Sequence, residues 1–268
     1  MKISIIVTHY KTPEVLDKCL MSLTVATKSM SSEVFVSDSE TDPAMIKPII
    51  KKYTSFKFLT HTRNVGYGRL VNDGLKRAIG EYVLIINADI IVPEAALNEW
   101  LVYMENNPAI GVSGPKLVNL DGTFQYSCFR FYKPLTILAR RTVFGRTVYG
   151  RRLLAQFLMF DYERRVAKEV DWLMGSAILI RRAALKKVGG MDPRFFMYFE
   201  DVDWCRRCWL AGYKVVFNPK IELTHHHMKA SDTRGGVKDI FTNRLTRVHV
   251  ASALKYFLKY LGQAMPVR

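Results

Sequence analysis

Ile3-Ser4-Ile5-Ile6-Val7-Thr8-His9-Tyr10 is the stretch whose reading decides the fold. Ile3 to Val7 is a nearly continuous apolar run, as a strand buried on both faces requires, and Thr8-His9-Tyr10 follows as a polar turn at its carboxyl end. The same phrase returns three times. Glu33 to Ser37 reads as a second strand ending at Asp38 and the loop Ser39-Glu40-Thr41-Asp42. Phe56 to Leu59 reads as a third, leading into Thr62-Arg63-Asn64-Val65-Gly66-Tyr67-Gly68, and Tyr82 to Ile86 as a fourth, ending at Asn87-Ala88-Asp89. Helical stretches separate them, one opened by Pro13 and Glu14 and running through Leu23, another opened by Pro43. This alternation predicts an α/β domain, a mostly parallel sheet with helices on both faces. Ligands of such sheets gather at the carboxyl ends of the strands, so one crevice is expected to collect Thr8, Tyr10, Asp38, Arg63, Asn64, Asn87 and Asp89. The glycines Gly66 and Gly68 do not complete a G-x-G-x-x-G and follow the third strand, so no dinucleotide loop is read there.

The second half of the chain is less regular. Val112 to Val118, with Gly111, Gly114 and Pro115 in or beside it, predicts a kinked strand pair. Val170 to Ile180 predicts a core strand with a close backbone approach at Gly175-Ser176. In Phe195-Phe196-Met197-Tyr198-Phe199-Glu200-Asp201-Val202-Asp203-Trp204-Cys205-Arg206-Arg207, an aromatic run ends in three carboxylates within four residues, where the chain should be entering a core. From Asp201 the spacing is helical, with Val202, Cys205, Trp209 and Leu210 as an apolar stripe and Gly212 as a stop, which puts Glu200 and Asp201 in a first turn. There they either cap the helix or serve as a general base on a rigid element beside an apolar wall. Tyr213 to Phe217 predicts another strand delivering Thr224-His225-His226-His227, a run that makes one histidine a candidate metal ligand. The chain ends with a helical stretch, Leu245 to Leu261, where Leu254, Phe257, Leu258 and Leu261 share a face and Lys255 and Lys259 fall off it. That face either docks onto the domain or lies in a membrane interface.

Composition places the charge. The chain has 268 residues, 49% hydrophobic and 24% charged, which is ordinary for a globular protein and excludes wholesale disorder. Its net charge of +16 is concentrated: residues 129–168 carry 10 basic against 2 acidic side chains and 228–268 carry 8 against 2, while 1–128 hold 13 of each. Two basic segments on a nearly neutral body point to an anionic surface, phospholipid or nucleic acid, touching part of the molecule. In the first of them Phe129, Phe131 and Tyr132 alternate with Arg130 and Lys133, a pattern that suits either bases or lipid head groups. Cys19, Cys128, Cys205 and Cys208 lie behind no leader sequence, so reduced thiols and a cytosolic location are expected. The C-x-x-C of Cys205 and Cys208 lacks a second pair and reads as helix packing.

The ordered set Ile3 to Tyr10, Ser37-Asp38, Arg63 to Gly68 with Asn72, Asn87-Ala88-Asp89, Trp172 to Ser176, Gly189-Gly190-Met191-Asp192 and Phe196 to Trp204 resembles family 2 of the GT-A glycosyltransferases, the inverting, nucleotide-sugar-dependent group. The resemblance covers roughly 1–120 and 170–230. It implies a GT-A domain over 1–230, with a nucleotide-binding half (1–122), a basic helical insertion (123–169) and an acceptor and catalytic half (170–230), followed by a C-terminal amphipathic helical extension (231–268). It implies that Thr8, Tyr10, Asp38, Arg63, Asn64, Gly66 and Asn87 surround the nucleotide, and that Asp89 reaches the diphosphate through Mg²⁺ or Mn²⁺. His225 is implied as a further metal ligand, Asp201 as catalytic base with Glu200 beside it, and Trp172, Gly175, Ser176 and Tyr198 as the acceptor and sugar pocket. Asn87 stands where the family's first aspartate is usual, which resembles the rhamnosyltransferase branch. That branch implies dTDP-rhamnose as donor, a UDP-hexose next, and a glycan or polyprenyl-diphosphate-linked glycan as acceptor. The anionic surface is then the cytoplasmic face of a membrane rather than nucleic acid. Two rival readings remain at this point. A sugar-phosphate nucleotidyltransferase would want a glycine-rich loop after the first strand, which Thr8-His9-Tyr10-Lys11-Thr12 lacks, and a non-enzymatic basic module leaves the acidic crevice residues without a purpose.

Overall fold

The computed structural model describes residues 1–226 and 243–266. β1 (Ile3–Tyr10) is followed by α1 (Pro13–Ala26), β2 (Ser32–Ser39), α2 (Pro43–Lys52), β3 (Lys57–His61), α3 (Tyr67–Leu75) and β4 (Tyr82–Asn87). The four strands are parallel, β1 lying between β2 and β4 with β3 outside β2, so the alternation expected from the sequence is the alternation observed. Proline sits in the first turn of α1 and of α2, where an N–H has no helical partner in any case, and Asp42 Oδ1 caps α2 by accepting the Ala44 N–H at 2.7 Å. Along β1, Ile3, Ile5 and Val7 enter the core against α1, while Ile6 enters the core on the other face. Each such side chain, withdrawn wholly from water, stabilises the fold by about 1.5 to 3 kcal/mol.

Beyond β4 the pattern changes. β5 (Ile90–Ile91) and α4 (Ala96–Glu105) lead to β6 (Ile110–Val118), one continuous strand of 9 residues rather than a kinked pair. The irregularity lies in its parallel partner, β12 (Lys214–His225), whose register shifts between Asn218 and Glu222. β11 (Ala177–Arg181) runs antiparallel between β4 and β6, which makes the sheet mixed. The single core strand expected over Val170 to Ile180 is instead two: β10 (Trp172–Leu173) pairs with β8 (Cys128–Phe129) in a small separate sheet, and the chain re-enters the main sheet only at β11. The break at Met174-Gly175-Ser176 has a cause. Backbone groups there are spent outside the sheet, the Gly175 carbonyl on the Tyr67 hydroxyl and the Gly175 N–H on the Asp201 carboxylate at 3.0 Å.

The basic segment is the expected helical insertion. After β7 (Phe124–Gln125) and β8 come α5 (Pro134–Arg141), a 3-10 turn over Val143–Arg146 and α6 (Val148–Phe157), and the segment closes with β9 (Lys168–Glu169) on β12. The aromatics at its start are buried: Phe129 stacks on Trp172 at 4.4 Å between centroids, and Tyr132 packs on Phe157 at 4.6 Å and on Phe199 at 4.8 Å. The interleaved aromatic residues Phe129, Phe131 and Tyr132 therefore build a core instead of offering stacking platforms to bases. α7 (Arg182–Val188) and α8 (Glu200–Leu210) cover the same face of the sheet, and α8 ends before Gly212, whose φ is +83°. All four cysteines are buried free thiols, and burial raises the pKa of each.

The final helix, α9 (Arg244–Lys259), corrects the sequence reading of its faces. Its buried residues are Thr246, His249, Ser252, Ala253 and Tyr256, whereas Leu254, Leu258 and Leu261 are exposed by 59%, 70% and 78%. The three leucines of the apolar stripe face away from the domain, Phe257 of the same stripe packs against Phe199, and a largely polar face turns in. No helix among the described residues is long and apolar enough to cross a membrane.

Candidate active site

Four strand ends meet along one rim. Thr8 is buried at the end of β1, and its hydroxyl donates to Asn87 Oδ1 at the end of β4 at 3.1 Å. Asp38, 1% exposed at the end of β2, accepts from His9 Nδ1 at 2.7 Å and from the Thr41 hydroxyl at 2.5 Å. His9 Nε2 accepts the Thr12 N–H at 3.0 Å, so the ring proton is assigned to Nδ1. Neither His9 nor Thr41 is among the residues picked from the sequence. The parallel register that sets His9 opposite Asp38 is the signal that finds the first of them. Tyr10 is exposed at the mouth and donates to Glu40 at 3.0 Å, and the Arg63 side chain is exposed beyond β3. Asn64 Oδ1 turns the loop by accepting the Gly66 N–H at 3.0 Å.

Gly66 joins this rim to the acidic motif. Its φ is +87°, and a Cβ there would lie 2.4 Å from the Phe196 carbonyl oxygen, so no other residue fits. The same carbonyl accepts the Tyr67 N–H at 2.9 Å. The Tyr67 hydroxyl then reaches Gly175, and its pKa is raised by burial and by the charges of Glu200, Asp201 and Asp89. One half-buried tyrosine thus feels the charge of all three acids. Sequence reasoning quoted Tyr67 only as part of a loop, because its role depends on contacts more than a hundred residues away.

Asp201 is the better-held acid of the motif. Its Oδ2 accepts the Gly175 N–H at 3.0 Å and its Oδ1 the Val202 N–H at 2.8 Å. Burial pushes its pKa up to about 6, and these two N–H groups oppose the rise. Glu200 is buried, its Oε2 has no hydrogen-bond partner, and burial together with the Asp201 charge pushes it further up. Two adjacent carboxyl groups are thereby separated in character, Asp201 toward carboxylate and Glu200 toward carboxylic acid. Tyr198 and Phe199, which precede them, both have left-handed backbones with φ of +68° and +69°. Non-glycine residues there cost on the order of 1 kcal/mol each, and runs of bulky ones are held only by tight surroundings.

Asp89 and His225 form a pair. His225 Nδ1 donates to Gln125 Oε1 at 2.7 Å, while the Gln125 amide nitrogen donates to the His225 carbonyl at 3.2 Å and to Asn119, which fixes the amide's orientation. Nε2 of His225 lies 3.2 Å from Asp89 Oδ1, a buried oxygen that accepts no hydrogen bond. A carboxylate beside an imidazole suits a divalent metal when the ring is neutral and an ion pair when it is protonated. Among the described residues no set of three or more His, Cys, Asp or Glu side chains converges on one point. His226 contributes its N–H to the Asp89 carbonyl at 2.8 Å, and His227 lies outside the described residues.

The four residues assigned to the acceptor and sugar pocket separate. Gly175 and Ser176 are in the site, the latter with a buried hydroxyl lacking a partner. Tyr198 is half-buried against His249 of α9, with ring centroids 5.2 Å apart. Trp172 is 6% exposed within the aromatic core of the insertion, its indole N–H spent on the Arg130 carbonyl at 2.9 Å, so it stands behind the pocket.

Comparison with known proteins gives the family and the fold. The family model described as glycosyltransferase like family 2 matches residues 2–245. An N-acetylglucosaminyl-diphospho-decaprenol L-rhamnosyltransferase of Mycobacterium tuberculosis is 28% identical over 79% of this chain and 71% of its own length. Rhamnosyltransferase WbbL of Escherichia coli is 23% identical over 85% of this chain and 82% of its own. Among solved structures, Staphylococcus aureus TarS in complex with UDP superposes with a TM-score of 0.60 at 18% identity, covering 96% of this chain and 66% of that one. The mannosyltransferase PcManGT of Pyrobaculum calidifontis, in complex with GDP-Man and Mn²⁺, gives a TM-score of 0.56 at 16% identity over 86% of this chain. This chain spans only 58% of that protein's length. These structural likenesses establish the shared GT-A fold, a mixed, mostly parallel sheet flanked by helices.

Proposed function

The chain belongs to glycosyltransferase family 2 and is a glycosyltransferase, and on that premise we propose that it is an inverting rhamnosyltransferase acting on a polyprenyl-diphosphate-linked glycan. The observation that carries the mechanism is Asp201, held as carboxylate by the Gly175 and Val202 N–H groups on the first turn of a rigid helix. The nucleotide of a dTDP-sugar lies along Thr8, Tyr10, Asp38, Arg63, Asn64, Gly66 and Asn87. Asp89 and His225 would hold Mg²⁺ or Mn²⁺. A bound divalent ion supplies neutralising charge to the departing diphosphate. Asp201 takes the proton of an acceptor hydroxyl as that oxygen bonds to the anomeric carbon, and the carbon–phosphate oxygen bond breaks with its electron pair leaving on the nucleoside diphosphate. Single displacement inverts the centre and requires no carboxylate nucleophile. Burial and the Asp201 charge push Glu200 toward its protonated form, which lessens the negative charge beside the base.

The proposed place of this reaction is the cytoplasmic face of an anionic membrane. Support comes from exposed apolar side chains within the two basic segments: Val143 at 76%, Val148 at 71% and Phe160 at 57% in the insertion, and Leu254, Leu258 and Leu261 on α9. Arginine among exposed apolar groups suits a headgroup layer, where the apolar tips insert and the cations remain with the phosphates.

Asp201→Asn tests the mechanism with a panel of dTDP-, UDP- and GDP-sugars with and without Mn²⁺. Metal-dependent thermal stabilisation by one donor class is expected in wild type and in the variant, with transfer abolished in the variant. Wild-type transfer is expected to rise with pH through about 6, since Asp201, raised by burial, must lose its proton to act. Retained turnover in Asp201→Asn refutes the assignment.

A further inference from the structure

α8 carries a third acid, Asp203, that is 0% exposed and stands two residues beyond Asp201. Residues two apart on a helix point about 200° apart, so Asp203 anchors the back of the helix whose front carries the base. A carboxylate this deeply buried is tolerable only when paired. Arg207 of the same helix gives one partner, Nε to Oδ2 at 2.8 Å, but the other two come from α9: the Lys259 ammonium and the Tyr260 hydroxyl, the latter at 2.8 Å. Lys259 also donates to Asp192 at 2.8 Å. Arg206, 3% exposed, lies over the Tyr260 ring at 3.8 Å and donates to the Ala264 carbonyl at 3.2 Å. Upstream, the Ser252 hydroxyl donates to the Met197 carbonyl at 2.9 Å, Lys255 donates to the Arg194 carbonyl at 2.9 Å, and Tyr256 packs on Phe199 at 5.3 Å. These contacts fall on Asp192 to Arg207, the peptide that contains the left-handed Tyr198-Phe199 turn and both motif acids.

We propose that α9 is a clamp for the catalytic base, with Lys259 and Tyr260 as positioning residues that act on Asp201 through Asp203. This rests on the assignment of Asp201 as base. Two consecutive left-handed, bulky residues relax unless the segments before and after them are fixed. Ser252 fixes the near side at Met197, and Lys259 with Tyr260 fix the far side at Asp203. Releasing the far side lets the first turn of α8 rotate, which moves Asp201 relative to the acceptor hydroxyl while leaving the donor rim at the ends of β1 to β4 in place. A displacement of an ångström at a reacting group is enough to lower a rate a hundredfold.

The test compares Lys259→Met, Lys259→Arg, Tyr260→Phe and Asp201→Asn in the full chain, with dTDP-rhamnose as donor and an N-acetylglucosaminyl-diphospho-lipid as acceptor probe. The expected result is a kcat lower by roughly tenfold or more in Tyr260→Phe and further in Lys259→Met, with donor KM within about twofold of wild type and partial recovery of kcat in Lys259→Arg. Tyr260→Phe keeps the ring and its packing, so it reports even where Lys259→Met does not fold. Wild-type kcat in folded Tyr260→Phe and Lys259→Met, beside an inactive Asp201→Asn, overturns the clamp alone. A parallel rise in donor KM with the fall in kcat overturns it as well, since that marks general loosening of the fold. An active Asp201→Asn overturns the base assignment and the clamp with it.

Discussion

The first helix and the last obey opposite rules. α1 buries Val15, Leu16, Cys19, Leu20 and Leu23, the stripe its sequence advertises, against Ile3, Ile5 and Val7 of the sheet. α9 has an equally legible stripe in Leu254, Leu258 and Leu261, yet turns it to solvent and buries His249, Ser252 and Tyr256 instead. The difference lies in the neighbour. α1 meets an apolar sheet face, where burying leucine is the largest gain available. α9 meets α8 and its buried Asp203 and Arg206, for which Lys259, Tyr256 and Tyr260 are the better match. A helix presents to its neighbour what the neighbour lacks, and its remaining stripe awaits another partner.

Truncating each stripe gives the widest contrast. Leu20→Ala is expected to destabilise the protein by about 2 to 5 kcal/mol, and Leu258→Ala by no more than about 0.5 kcal/mol in aqueous solution, read from denaturant midpoints. Equal losses break the comparison, because they place Leu258 in a core. The buried side of α9 can be sharpened through His249. It is 5% exposed among Tyr132, Tyr198 and Phe199, and burial, aided by Arg141 and Arg140 from α5, lowers its pKa to about 3. A histidine whose folded pKa lies below its unfolded value binds more protons when unfolded, so its cost appears as pH falls below about 6.5. His249→Phe is therefore expected to lose up to about 1.4 kcal/mol less stability than wild type for each pH unit between 6.5 and 5. Identical acid slopes place the ring in water. The smallest effect concerns the outward face. Removing one exposed cation, Arg152→Gln, is expected to weaken flotation with vesicles containing phosphatidylserine by about fivefold at low salt, near 1 kcal/mol per basic residue. Leu254→Ala with Leu258→Ala should weaken flotation more than this without lowering stability. Absence of wild-type flotation removes the membrane from the proposal.

Much of the rim at the strand ends was readable in advance. Thr8, Asp38, Asn87 and Asp89 stand where the apolar runs stop, and strand ends converge in any parallel α/β sheet. The partners that define their chemistry were not readable. His9 on Asp38 and Gln125 on His225 are joined by pairings that no local period encodes, whereas Thr41 lies only three residues beyond Asp38. Tyr67 was visible as a letter of a loop, but its place among Asp89, Glu200 and Asp201 requires β4, the Gly175 break and α8 to be assembled first. The basic insertion was legible as charge, while its aromatics proved to be a core.

By itself, then, the sequence determined the four strand–helix units, the acidic first turn of α8 and the uneven placement of charge. Each is a local property, set by the period of apolar residues or by composition within one segment. Tertiary structure alone decided the split of Val170 to Ile180 into two strands, the separate states of Glu200 and Asp201, and the face by which α9 binds. Those outcomes turn on which group finds a partner across the fold, and a buried carboxylate such as Asp203 outweighs an amphipathic stripe because leaving it unpaired costs more than leaving leucine in water.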